Sequence, residues 1–269
     1  MTEPMGFYTD TTVCIGCKAC EVACKEWNQL PAANGGLLEM SGDSYDNTRQ
    51  LNGTHWRHVK FIEQFSETRV DGRWLMMSDV CKHCVQAACL EVCPTGAIIR
   101  TEFDTVVIQS DACNGCRLCI AACPFGVIGI NEAANTAQKC TLCYDRLQAG
   151  MEPACSQACP TDSIRFGTIR ELKQLAEMRV DQLHALGETR AHLYGADEKV
   201  LGGLNSFYLL VDEPEVYGLP RAPKMPTRNL LPSSLFSAAG GIVLALLAFV
   251  GLRKQRMDER AAAREGTDA

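Results

Sequence analysis

The sequence has no excess of positive charge: its 26 lysines and arginines are outnumbered by 32 aspartates and glutamates, for a formal net charge of −6 over 269 residues. A nucleic-acid binder usually presents a basic face, so the balance argues against a nucleic-acid partner. Met1 to Asp10 contains no apolar run of the kind a secretory signal requires. The usual setting for a disulfide framework is therefore missing. Nor does the chain have the low hydrophobicity of a disordered one: 46% of its residues are apolar and 22% charged, enough for one or two compact domains with real cores.

Cysteine, by contrast, is abundant. The sixteen cysteines fall into four groups of four with none left over: Cys14, Cys17, Cys20, Cys24; Cys81, Cys84, Cys89, Cys93; Cys113, Cys116, Cys119, Cys123; and Cys140, Cys143, Cys155, Cys159. CxxC pairs at this spacing, repeated four times, read as metal-ligand clusters rather than staples between distant loops. Structural zinc also takes four thiolates, so the count alone does not separate zinc from iron. The spacing does. Zinc sites pair two distant CxxC knuckles, whereas CxxCxxC followed by xxxC-P is the ferredoxin run, in which three cysteines hold one [4Fe-4S] cube and the fourth reaches the other.

Gly16 and Gly115, between the first two cysteines of their groups, suit a backbone that passes close to inorganic sulfide and aims N–H groups at it, although an ordinary turn would also use glycine. Pro94, Pro124 and Pro160 follow the fourth cysteine in three groups, where proline stops a short turn. The first group has Lys25 there and continues as "KEWNQLPAANGG", so a turn back at once into a strand is not expected.

Groups two and three are joined by "PTGAIIRTEFDTVVIQSDA", which reads as strand, acidic turn, strand. Groups one and four flank them, and the simplest pairing nests one unit within another. Crossed ligation then assigns Cys14, Cys17, Cys20 and Cys159 to one cube and Cys140, Cys143, Cys155 and Cys24 to a second. Cys81, Cys84, Cys89 and Cys123 hold a third, and Cys113, Cys116, Cys119 and Cys93 a fourth. The cofactor expectation is four [4Fe-4S] clusters. The eleven residues "YDRLQAGMEPA" inside the fourth group break the strict run and read as an insertion in a surface loop.

"HWRHVKFIEQF" and "GRWLMMSDV" predict two strands about a turn, and Pro31 to Thr54 an irregular surface loop of the kind that contacts partners. His55, His58 and His83 read as surface or packing residues, since sixteen thiolates already satisfy four cubes. Lys18, Lys25, Lys82, Arg117 and Lys139 lie beside ligands and can raise nearby potentials, but the plainer reading of each is a solvated surface charge. Thr168 to Gly187 spaces Ile169, Leu172, Leu175, Ala176, Leu183 and Leu186 along one helical face. "SFYLLV" predicts a strand, and a proline-punctuated linker follows.

From Asn229 to Leu252 there is no charged residue; as a helix this stretch is about 36 Å long against a hydrocarbon thickness of roughly 30 Å. Ten Leu, Ile, Val or Phe residues from Leu235 onward supply about −3 to −6 kcal/mol of insertion free energy. Ser233 and Ser234 are candidate caps. Arg253, Lys254, Arg256, Arg260 and Arg264 follow the span, against Arg221, Lys224 and Arg228 before it. The positive-inside rule then puts the tail in the cytoplasm and the cluster domain outside. With no signal of its own expected, export alongside a partner bearing a twin-arginine signal fits that orientation.

The expected fold is α+β: two nested ferredoxin-like two-cluster units with a C-terminal transmembrane helix. Residues 1–80 hold the first half of the outer unit with the surface loop and hairpin, and residues 81–130 the inserted unit. Residues 131–228 complete the outer unit and add a helix, strand and linker; 229–252 is the span and 253–269 the cytoplasmic tail.

"CIGCKACEVACKEWN", "CRLCIAACPFGV", "KCTLCYDR", "EPACSQACPT", "IRFGT" and "VYGLPRAPK", with the single C-terminal span, together resemble the iron-sulfur beta subunit of the respiratory, membrane-bound formate dehydrogenases. The resemblance runs from about Val13 to Leu252. It implies four [4Fe-4S] clusters on crossed ligands, a molybdenum or tungsten bis-pterin catalytic subunit on one side and a quinone-reducing cytochrome b membrane subunit on the other. The catalytic residues of that family are on another chain, so none is assigned here. The third group is all cysteine, whereas related nitrate and sulfoxide reductase subunits often replace one. The same wire role for a hydrogenase or a polysulfide or sulfoxide-type reductase is the alternative, and a protein in which the clusters are purely structural is a third class.

Overall fold

The computed structural model describes residues 3–32, 44–46, 48–67 and 72–265. The chain divides into two compact units, one through Met225 and one from Pro226 onward.

In the first unit, β1 (Met5–Asp10) pairs parallel with β10 (Ser206–Leu210) and antiparallel with β8 (Ile164–Thr168), while β9 (His192–Tyr194) pairs antiparallel with β10. The sheet order is β8-β1-β10-β9. Every residue of β10 is buried, as expected of a strand covered on both faces. Alternation along β1 divides the interior in two. Phe7 joins a core that contains cysteines of all four groups along with Val59, Val80, Ile98, Val106 and Ile164. Tyr8, on the opposite face, joins a second core with Leu172, Ala176, Phe207 and Tyr208.

That second core lies under α6 (Ile169–Ala185), whose buried residues are Leu172, Ala176 and Leu183. Thr168 caps it, accepting the Glu171 N–H at 3.3 Å and donating its hydroxyl to the Glu171 carboxylate at 2.8 Å. Leu186 falls beyond the last turn and is 79% exposed, so the apolar face ends earlier than the spacing predicts.

Three antiparallel hairpins complete the unit: β2 (Arg57–Phe65) with β3 (Gly72–Val80), β4 (Ile98–Arg100) with β5 (Val106–Ile108), and β6 (Gly129–Asn131) with β7 (Thr136–Gln138). The domain boundary expected at residue 130 falls inside β6, because that hairpin closes only at Gln138. Short helices carry five of the cysteines, Cys20, Cys24, Cys89, Cys119 and Cys155: α1 (Ala19–Trp27), α2 (Ala88–Glu91), α3 (Leu118–Ala122) and α5 (Ala154–Gln157). α1 packs on α5, and α2 on α3.

The insertion inside the fourth cysteine group is not a bare surface loop. It forms α4 (Tyr144–Gln148), in which Arg146 and Leu147 are buried. The Arg146 guanidinium lies over the Trp27 ring at 4.2 Å and donates to the Glu152 carbonyl and the Gln157 side chain, each at 2.6 Å. The insertion is thus tied to the end of α1. Of the loop expected at Pro31 to Thr54, residues 33–43 and residue 47 lie outside the described residues; the rest contains no helix or strand.

The second unit is a short 3-10 turn, Pro226–Asn229, and α7 (Leu230–Glu265). Within α7, Ser233–Met257 is long and apolar enough to cross a membrane, with a mean hydropathy of 2.4. Phe236, Leu244, Leu247 and Phe249 are all exposed, unlike the apolar residues of a soluble core helix. The helix starts before Ser233 and Ser234, so these serines do not cap it; the Ser237 hydroxyl bonds the Ser233 carbonyl at 2.9 Å. It also continues past Leu252 through the basic segment as one helix.

Candidate iron-sulfur sites

One backbone turn recurs in all four cysteine groups. The residue just before the second cysteine has positive φ in each: Gly16 (66°), His83 (43°), Gly115 (69°) and Leu142 (61°). Where it is glycine, a Cβ would meet the Phe61 ring at 2.7 Å or the Asn135 carbonyl oxygen at 2.5 Å. Left-handed backbone is unfavourable for histidine and leucine, and both are held by other contacts. His83 is fully buried and its Nδ1 accepts the Val106 N–H at 3.1 Å; Leu142 is packed in the cysteine-rich core. The turn points an N–H back at the first cysteine: Leu142 donates to Cys140 Sγ at 3.3 Å, and Gly16 to the Cys14 thiol.

A second turn follows the last cysteine of groups two to four. In Cys93-Pro-Thr-Gly, Cys123-Pro-Phe-Gly and Cys159-Pro-Thr-Asp, the fourth residue is left-handed, at φ 68°, 62° and 52°. The chain then enters β4, the segment before β6, or β8. Group one differs because Cys24 lies inside α1, which runs on to Trp27; a proline at Lys25 would remove an N–H from that helix.

The structure brings the thiols together across groups. A cavity is lined by Cys14, Cys17, Cys20 and Cys159, and another by Cys81, Cys84, Cys89 and Cys123. Cys24 lies among Cys140, Cys143 and Cys155, and Cys119 among Cys113, Cys116 and Cys93. Among the described residues, no three His, Cys, Asp or Glu side chains gather at the range of a single metal ion. Each set supplies four thiols and a cube takes one thiolate per iron. The donor set therefore fits [4Fe-4S] clusters.

The four sets also form a series. Cys20 of the first neighbours Cys155 of the second, Cys140 neighbours Cys81 of the third, and Cys89 neighbours Cys119 of the fourth. Exposure follows the same order. Cys17 and Cys116, in the two end sets, are exposed, and all four cysteines of the second set are buried.

Burial pushes the Cys20 and Cys140 thiols up to about 12 and those of Cys119 and Cys143 up to about 11. Such thiols give up their protons to a metal rather than to water. At Cys93 burial works the same way, but the Thr95 hydroxyl and the N–H groups of Ile98, Thr95 and Ala97 outweigh it and hold the thiol below its usual value. Other donors to sulfur are the Ala137 N–H on Cys113 at 3.4 Å and the Asn28 amide on Cys24 at 3.7 Å. The Ser78 hydroxyl is 3.2 Å from Cys20.

The cations divide. Arg117 is exposed, and Lys18 is half-buried over the Phe61 ring. Lys25 is also half-buried, bonding the Thr54 carbonyl at 3.1 Å. Lys82 and Lys139 are not solvated surface charges, being only 1% and 2% exposed. Lys82 pairs with Asp79, and Lys139 bonds the Val106 and Cys140 carbonyls beside Cys81 and Cys89. His83 lines the cavity of the third thiol set, with Nδ1 engaged by the Val106 N–H; the other two candidate histidines lie apart. His58 is buried between Asp46 (3.4 Å) and Asp79 (3.7 Å), and half-buried His55 contacts Lys25 Nζ at 3.1 Å. The sequence patterns passed over Arg57, the first residue of β2, which is buried beside Cys155, Cys20 and Cys140; no local spacing marks it, because the hairpin register carries it there.

Comparison with known proteins agrees with this chemistry. Residues 72–169 match a family model described as a 4Fe-4S dicluster domain, and residues 13–97 match a second model of the same description. The chain is 43% identical over 224 residues to the nitrate-inducible formate dehydrogenase iron-sulfur subunit of Escherichia coli (strain K12), covering 81% of this chain and 73% of that protein. It is 38% identical over 267 residues to the formate dehydrogenase-O iron-sulfur subunit of the same organism, covering 96% and 86%. The chain thus belongs to the formate dehydrogenase iron-sulfur subunits. Membership of that family makes it a [4Fe-4S] electron-transfer subunit. The wider kinship includes a subunit of the anaerobic dimethyl sulfoxide reductase of Escherichia coli (strain K12), 36% identical over 176 residues, 65% of this chain and 78% of that protein.

Proposed function

We propose that this chain carries four [4Fe-4S] clusters on crossed ligands in two nested units, and that it conducts electrons from a formate-oxidising molybdenum or tungsten bis-pterin subunit towards a membrane cytochrome b and quinone. The observation that carries the reading is the series of four thiol sets, with an exposed cysteine in each end set and none in the two between. The outer unit supplies Cys14, Cys17, Cys20 and Cys159, and Cys24, Cys140, Cys143 and Cys155. The inner unit supplies Cys81, Cys84, Cys89 and Cys123, and Cys93, Cys113, Cys116 and Cys119.

Bound clusters supply one-electron storage at each site. The chain's own residues do the rest. Sixteen thiolates fix the spacing, the repeated left-handed turns aim N–H groups at sulfur, and the apolar core keeps water from the second set. No residue here needs to bind formate or move a proton. The helix Ser233–Met257 anchors the chain, and the cations after it favour a cytoplasmic tail with the cluster unit on the periplasmic side of the cytoplasmic membrane.

The test is the composition of the anaerobically purified complex. About sixteen iron and sixteen sulfide per copy of this chain, almost no zinc, and a co-purifying bis-pterin subunit that reduces the clusters with formate are expected. Four zinc with no sulfide would refute the cluster reading. A partner that oxidises hydrogen, or reduces polysulfide or a sulfoxide, would keep the wire and change the reaction; the 36% identity to a dimethyl sulfoxide reductase subunit keeps that second reading in view. For orientation, a cytoplasm-dependent reporter fused after Ala269 should be active, with lysines of the cluster unit open to an impermeant label in intact cells.

A further inference from the structure

Arg57 is a buried cation with no acidic partner among the described residues. It is 2% exposed, and among the described residues no carboxylate lies within ion-pair range of it. The Asp79 carboxylate, on the neighbouring strand, is taken by Lys60, Lys82 and His58. Arg57 Nη1 donates to the Ser78 hydroxyl at 2.9 Å, and its guanidinium carbon lies 4.8 Å over the Phe7 ring. Nε and Nη2 are buried with no oxygen or nitrogen acceptor, and the guanidinium lies within hydrogen-bonding reach of the Cys155 thiol. A cation held this way carries a heavy desolvation penalty unless an anion compensates it. The groups nearest its charge are the thiols of Cys155 and Cys140 of the second set and Cys20 of the first, with the neutral Tyr208 hydroxyl beyond them.

We propose that Arg57 is the shared counter-charge of the clusters held by the first and second thiol sets, with Nε and Nη2 donating N–H···S hydrogen bonds to them. This rests on the ligand sets given above. A [4Fe-4S] cluster with four thiolates is anionic and becomes more so on reduction, which adds one electron and breaks no bond. A fixed guanidinium in a low-dielectric interior favours the more negative form. Placed between two clusters, it raises both potentials together and leaves the difference between them nearly unchanged. Arginine suits the position because its planar fork can donate in two directions and its charge does not titrate away.

Potentiometric EPR of the anaerobic complex carrying Arg57→Met tests this. The clusters are identified by the signals that Cys20→Ser, Cys155→Ser, Cys89→Ser and Cys119→Ser each alter. The first two should lose at least about tenfold in the reduction equilibrium constant, about 59 mV for one electron, while the fourth stays unmoved. Arg57→Lys should recover most of the loss. Full iron and sulfide content with no shift, or an equal shift of all four clusters, would overturn the proposal. If Arg57→Met does not assemble, pulsed EPR of the unsubstituted complex labelled with 15N-arginine should give nitrogen coupling on the Cys20 and Cys155 signals; no coupling there overturns it too. A single signal altered by both Cys20→Ser and Cys155→Ser would sink the ligand sets themselves, and this proposal with them.

Discussion

The second thiol set and the two end sets solve the same ligation problem in opposite surroundings. Cys24, Cys140, Cys143 and Cys155 are all buried, with Arg57 beside them, Cys143 at the start of α4 and Cys155 within α5. In the end sets Cys17 and Cys116 reach the surface, each followed by a left-handed cation, Lys18 or Arg117. A buried site gains rigidity and dryness but must compensate its charge from within the protein, whereas an exposed one can use water. Among the described residues, each end set has an exposed cysteine and the second set has none.

The largest effect that distinguishes the regions should come from removing one thiolate of each. Cys155→Ala leaves a void among buried ligands and an uncompensated site beside Arg57, so the chain should fail to accumulate and formate-to-quinone activity should fall to background. Cys116→Ala, at the surface, should leave a folded chain that still accepts electrons. With its set assigned to the quinone end of the proposed series, formate should still reduce an artificial dye while quinone reduction fails. Loss of dye reduction with quinone reduction kept would reverse the direction assigned to the series.

A smaller effect separates two kinds of glycine. Gly115→Ala places a Cβ 2.5 Å from the Asn135 carbonyl oxygen at φ 69°, whereas Gly126→Ala at φ 62° meets nothing within 4 Å. Gly126→Ala should cost about 1–2 kcal/mol, the left-handed penalty alone. Gly115→Ala should cost more and should disturb the cluster on Cys113, Cys116 and Cys119. Equal melting shifts for the two would mean that the close approach at Gly115 is unimportant. Smaller still, Trp27→Ala removes the stacking on Arg146 and the 2.8 Å hydrogen bond to Asp145. It should cost about 0.5–1 kcal/mol at this exposed position and leave cluster content unchanged.

The parts legible in the sequence were those with local causes. Cysteine spacing marked the four groups, the apolar period marked α6, alternation marked the hairpin β2–β3, and an uncharged run marked the core of α7. Tertiary causes were not legible. β1 reads as a nondescript N-terminus, and only its parallel pairing with β10, almost two hundred residues later, makes it central. His83 and Leu142 hold the same left-handed position as Gly16 and Gly115, yet neither residue type announces it; aligning the four CxxC turns would have exposed the equivalence. Lys82 and Lys139 resemble surface lysines until the fold buries them, and the insertion after Cys143 looks like a loop until Arg146 finds Trp27.

The crossing of ligands between distant groups is the central claim, and one serine substitution tests it most directly. In the reduced complex, Cys159→Ser should alter the EPR signal that Cys17→Ser alters and leave the Cys155→Ser signal untouched, although Cys159 and Cys155 are only four residues apart in sequence. If Cys159→Ser instead altered the signal marked by Cys155, each cysteine group would hold its own cluster, and the crossed, nested arrangement would be contradicted.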